Sequence, residues 1–166
     1  DLFKKHPNHC VYSCQNPTGC TSPGCPGGTP GPIPLFWCSY LTYFTYETQT
    51  SLGMPFYIGA RHQARFFGGP ICSDCAGIAV CTTGCSYISA YENVRDTVKP
   101  GDAVFFVTGS RGADISHVGM VYKVTPSFIS IIESNSWTKT RTFNLKPNGS
   151  VDTDGSGGVV GFGHLP

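Results

Sequence analysis

Nine cysteines in a chain of 166 residues constrain this protein more than any other feature. They are Cys10, Cys14, Cys20, Cys25, Cys38, Cys72, Cys75, Cys81 and Cys85. Such a density belongs to oxidising compartments, where thiols pair and staple small folds, so a secreted, extracellular protein is expected. The count is odd. One thiol kept free for chemistry leaves eight, enough for four disulfides. Five of the cysteines precede residue 40. With Cys75 as the free thiol, only three others follow them, and at least one bridge would tie the two regions together. The pairing itself stays open. Cys10, Cys14, Cys20 and Cys25 lack the tight C-x-x-C pair of a structural zinc site, so disulfides are favoured there. Cys72 and Cys75 do form a C-x-x-C, but no thioredoxin-like βαβ pattern surrounds it. No metal and no cofactor is called for.

The formal net charge is +1, and no basic stripe marks a nucleic-acid surface, which removes that partner class. No apolar run approaches the roughly 18 residues that a membrane span requires. The chain opens on Asp1 without a basic and then apolar leader, as a mature or trimmed form would. A monomer is expected.

Residues 1–35 are rich in Cys, Pro and Gly, including Pro23-Gly24-Cys25-Pro26-Gly27-Gly28. Prolines remove backbone donors and glycines disfavour regular elements, so this segment is expected to be an irregular, cross-linked arm or cap. Residues 36–166 are expected to be the folded catalytic domain. Phe36, Tyr40, Tyr43, Phe44 and Glu47 fit a helix over 36–51, with a strand as the alternative. Arg61 to Pro70 read as a loop. Ser73-Asp74 could cap a helix beginning at Cys75 and closed by Gly84. Beyond residue 100, strands are expected at Asp102–Thr108, Ser116–Val124 and Ser127–Ser134, with weaker ones at Thr138–Phe143 and Gly158–Gly163. Helices followed by adjacent strands read as an α+β fold with an antiparallel sheet.

A thiol becomes a useful nucleophile when its thiolate is stabilised by a helix N-terminus or a neighbouring imidazole. Cys75, at the start of the expected helix, is the candidate. His117 is the candidate general base, because it lies within a strong strand that could aim it. Glu133 and Asn135, on one face of the next strand, are candidates to orient its ring. His6, His9, His62 and His164 read as surface or loop residues, and Asp102 as turn chemistry. Phe66 and Phe67, beside Arg61 and Arg65, could line a groove or pack under a loop.

Asp74-Cys75-Ala76-Gly77-Ile78 resembles the D-C-S-G nucleophile motif of NlpC-type cysteine peptidases. Pro100-Gly101-Asp102-Ala103-Val104-Phe105-Phe106 and Ser116-His117-Val118-Gly119-Met120-Val121-Tyr122 resemble the P-G-D-L-V-F-F and S-H-V-G-I-Y strands of that family. Leu52 to Gly59 is similar to its L-G-x-P-Y-x-W-G-G stretch. Glu133-Ser134-Asn135 resembles instead the E-x-N of the related CHAP amidase/peptidases. The resemblance implies a papain-like fold, with the nucleophile helix packed on the base-bearing sheet and Cys75 N–H in the oxyanion hole. It also implies peptide or amide bonds of bacterial peptidoglycan as substrate, met by Phe56, Tyr57, Asp74, Ala76 and Ser116. Phe56 and Ala76 replace the Tyr and Ser that help NlpC-type enzymes recognise a free amino end. An inactive secreted binding module, or an acyltransferase using the same Cys–His pair, are the alternatives on this scaffold.

Overall fold

The computed structural model describes residues 38, 41, 42, 45, 46, 59–72, 75–107, 114–134, 138–152 and 158–164. The expected N-terminal arm lies outside them. Six strands are present: β1 (Ser86–Ser89), β2 (Ala103–Phe106), β3 (His117–Val124), β4 (Phe128–Ser134), β5 (Thr138–Asn144) and β6 (Val159–His164). They form one sheet in the order β1-β6-β2-β3-β4-β5, with every neighbouring pair antiparallel. Two short helices join them, α1 (Ala60–Phe66) and α2 (Val94–Thr97). An earlier segment is also helical at Cys38, Leu41, Thr42, Thr45 and Tyr46. The architecture is α+β, with few helices on an antiparallel sheet.

Val, Ile and Phe at alternating positions give the strands two distinct faces. On one face, Val104, Phe106, Val121, Ile129, Ile131, Phe143 and Phe162 form a core with Val94 and Val98 around α2. On the other, Ala103, Phe105 and Val118 pack with Cys38, Tyr46, Ala60, Ala64, Phe66 and Phe67. β2 is therefore buried on both sides. The first face is concave. The rings of Phe106 on β2 and Phe143 on β5 are 5.8 Å apart. In a flat sheet those strands would lie roughly 14 Å apart, three spacings of about 4.8 Å, so the sheet curls around this core.

The expected loop from Arg61 to Pro70 is in its first half the helix α1. Its apolar positions Ala60, Ala64 and Phe67 are buried at helical spacing, which the Arg and Gly content obscured. Gly68, at φ 89°, ends it. The Gly68 N–H donates to Arg65 and the Gly69 N–H to Ala64, the paired bonds of a Schellman cap.

The expected helix beginning at Cys75 does not form. Cys72 and Cys75 are disulfide-bonded, as are Cys81 and Cys85. The Cys75 N–H donates to Cys72 O at 3.1 Å and the Ile78 N–H to Cys75 O at 3.2 Å, so this stretch is a succession of tight turns. Both bridges close locally, and among the described residues none joins the later cysteines to the earlier ones.

The helical segment with Cys38 lies along β2. The Tyr46 hydroxyl donates to Gly101 O at 3.1 Å, beside the start of β2. Cys38 packs in the same cluster as Phe105 of β2 and Val118 of β3. Thr42, one turn below Cys38, is fully buried and donates to the Gln63 side chain of α1. Among the described residues, no helix is long and apolar enough to cross a membrane.

Candidate active site

Among the described residues, Cys38 is the cysteine that is in no disulfide, and it is buried. This overturns the expectation for Cys75, whose sulfur is bonded to Cys72 and cannot be a thiolate. The Cys75 backbone N–H is also committed to Cys72 O, which removes it as an oxyanion donor. Cys38 had two signals in the sequence. It stands alone, far from any C-x-x-C spacing, and it begins the Tyr- and Phe-rich stretch read as a helix.

His117 is the first residue of β3, at the end of the sheet, so its ring reaches groups on both faces. On one side lies the Phe106 ring, 5.6 Å away. On the other, the ring hydrogen-bonds Cys38. Its Nε2 is 2.8 Å from Oε2 of Glu133 on β4, which leaves Nδ1 for the thiol. Three elements thus bring together a thiol, an imidazole and a carboxylate in one hydrogen-bonded line. Burial alone would lower the pKa of His117. The hydrogen bond and charge of Cys38, followed by those of Glu133, outweigh it and raise the pKa above its usual 6.5. The site therefore favours the charged form of the imidazole.

Local sequence explains the close approach of Glu133. Gly119 pairs with Glu133 across β3 and β4. A Cβ at Gly119 would sit 2.8 Å from Ile132 O and 3.4 Å from the Cβ of Glu133. The glycine lets β4 lie close enough for its carboxylate to reach the ring. Arg141 on β5 stands behind Glu133, with Nη1 3.5 Å from the same Oε2. No motif singled out Arg141, because strand register alone places it there.

Ser116 precedes His117 and donates its N–H to Phe106 O at 2.9 Å. Ala76 is exposed in the turn after Cys75. Phe56, Tyr57, Asp74 and Asn135 lie outside the described residues. Phe66 and Phe67 are core residues rather than groove lining. Asp102 accepts from the Lys99 N–H at 2.8 Å, as turn chemistry predicts, and also meets Nδ1 of His164 at 2.9 Å.

His62, Cys72 and Cys75 bring ligand-type atoms within 4.8 Å of one another. With the two sulfurs bonded to each other, neither is the thiolate a soft metal needs.

A cavity of about 300 Å³ is lined by Cys72 but not by Cys38, His117 or Glu133. Its lining includes Arg61, Ile71, Tyr87, Asp114, Ile115 and Val160. Ile115 is two residues before His117 and packs in the same cluster as Cys38. Arg61 and Asp114 stand 3.9 Å apart within this lining.

No protein-family model, curated protein or solved structure matches the chain.

Proposed function

We propose that this chain is a cysteine hydrolase of papain-like architecture acting on peptide or amide bonds of bacterial peptidoglycan outside the cell. Cys38 is the nucleophile, His117 the base and Glu133 the residue that orients its ring. The observation that carries this reading is the line from Cys38 through His117 to Glu133. A buried thiol in no disulfide, a histidine of raised pKa and a carboxylate 2.8 Å behind it form the arrangement that nucleophilic thiol catalysis requires. The cell-wall substrate rests on the strand motifs around Asp102 and His117 and on Glu133, which resemble peptidoglycan hydrolases.

In this mechanism the Cys38 thiolate attacks the carbonyl carbon, forming a C–S bond. His117 gives the proton it took from the thiol to the departing amine as the C–N bond breaks. Water, deprotonated by the imidazole, then cleaves the thioester and restores the thiol. The cavity at Ile115 offers mostly apolar walls with an ion pair for the flanking part of the substrate.

The test is digestion of purified cell wall with mass analysis of the soluble products. New amines or stem-peptide fragments are expected from the wild type and none from Cys38→Ala. The double variant Cys72→Ala/Cys75→Ala should still release them. Binding to the wall without any new fragment would replace this reading with that of a binding module.

A further inference from the structure

Arg141 occupies a position that the three-residue line does not account for. Its guanidinium lies 4.9 Å from the Phe143 ring centroid and 5.6 Å from that of Phe106. Nη1 is 3.5 Å from Oε2 of Glu133, the oxygen that meets His117. The Phe106 ring in turn lies 5.6 Å from the imidazole. Arg141 is opposite Ile131 in the β4–β5 register, and Lys139 is opposite Glu133. Arg141 therefore approaches the carboxylate diagonally along the strand, within the reach of a long side chain.

We propose that Arg141 is a positioning residue, clamped by Phe106 and Phe143, that holds the Glu133 carboxylate against Nε2 of His117. The proposal rests on the assignment of Cys38, His117 and Glu133 as the catalytic line. A carboxylate with one partner can rotate about its last bond. A second donor at the same oxygen fixes it, and the ring behind the imidazole is fixed by the same cation. Arginine suits this place better than lysine, because a planar guanidinium stacks on rings while its edge donates. Its charge has a second effect. The guanidinium shares Oε2 of Glu133 with the imidazole, so its removal leaves that oxygen to His117 alone. The groups that face this ring are Cys38 from the helical segment, Glu133 from β4 and Arg141 from β5, with Lys139 next to Glu133.

The experiment compares the wild type with R141Q and R141K in the full chain. One readout is the NMR titration of the His117 ring. A second is the rate of Cys38 carbamidomethylation by iodoacetamide at about pH 6, below the ordinary thiol range, located by peptide mapping, and a third is the release of cell-wall fragments. In R141Q the His117 midpoint should rise and the release of cell-wall fragments should fall roughly tenfold, in the range lost when an outer partner of a histidine is removed. R141K keeps the charge but not the clamp. It should leave the midpoint near the wild-type value while fragment release still falls. A residue that only supports the fold would lower release in both variants and move the midpoint in neither, which would overturn the proposal. If R141Q fails to fold, R141K with unchanged fragment release overturns it equally. A wild-type Cys38 that is inert at this pH would overturn the catalytic line itself, and the proposal with it. A reactive wild type matched by R141Q would overturn the proposal alone.

Discussion

Oε2 of Glu133 and Nε2 of His117 face each other at 2.8 Å across the β3–β4 pair, both largely out of solvent. A carboxylate so placed favours a proton on Nε2, which in the proposed mechanism leaves Nδ1 to take and return the thiol proton. Glu133→Gln keeps the shape and removes the charge. It should lower the release of cell-wall fragments by about 100-fold, the lower end of what general-base catalysis contributes. Release within a factor of two of wild type would remove Glu133 from the catalytic line.

The raised pKa of His117 has a definite sign. A group whose pKa rises on folding adds stability that is fully present below its unfolded value of about 6.5 and is lost as pH rises through the folded value. Stability measured by urea unfolding should therefore decline through that window, over and above the rest of the chain. Cys38→Ala removes the largest raising influence. Its His117 midpoint, followed by NMR, should fall below that of the wild type.

Thiol labelling distinguishes the cysteines directly. Alkylation of the unreduced protein, followed by peptide mapping, should mark Cys38 and leave Cys72, Cys75, Cys81 and Cys85 unmarked. A label on Cys75 would restore it as the nucleophile and displace Cys38.

Gly119 is the residue whose absent side chain admits Glu133. Gly119→Ala places a methyl against Ile132 O and Glu133, and the backbone carbonyl cannot rotate away. The expected cost is about 1–3 kcal/mol of stability, typical of overpacking. Fragment release should fall further than the remaining folded fraction explains, because the carboxylate is pushed from the ring. Loss of activity in simple proportion to unfolding would remove that coupling.

Tyr46 ties the helical segment to the start of β2, eight residues from the thiol. Burial, with Asp102 nearby, holds its hydroxyl well above the usual tyrosine range, so it acts as a neutral donor to Gly101 O. Tyr46→Phe should cost about 1 kcal/mol by calorimetry, the net worth of one hydrogen bond. The ring stays packed against Phe67, so the fold should persist.

The sheet was the most legible part of the chain. Val, Ile and Phe marked β2, β3, β4 and β6 to within a residue or two, and β-branched Thr around Phe143 marked β5 more weakly. β1 and α2 span four residues each, too few for a period to register. α1 was hidden for another reason. Two arginines, a histidine and a terminal Phe-Phe-Gly-Gly disguised a short helix whose buried positions are Ala60, Gln63, Ala64 and Phe66. His117 and Glu133 were legible because strand parity fixes which residues share a face. Cys75 misled through its neighbours. Asp74-Cys75-Ala76-Gly77 has the letters of a nucleophile motif, but a cysteine three residues earlier offers a disulfide, and Cys75 is taken up in it.

The two short bridges have a consequence beyond shape. They join residues only three and four apart in sequence. Each removes little freedom from the unfolded chain, on the order of 2 kcal/mol against about 3 for a 15-residue loop, so neither is a strong staple. What they offer is speed and privacy. Thiols this close meet sooner than any distant pair as the chain emerges, and once joined they no longer offer a thiol to a slower partner. The four cysteines nearest in sequence to His117 are thereby paired with one another rather than with Cys38. An oxidising environment, hostile to a free thiol, can then deliver a folded chain in which one is preserved.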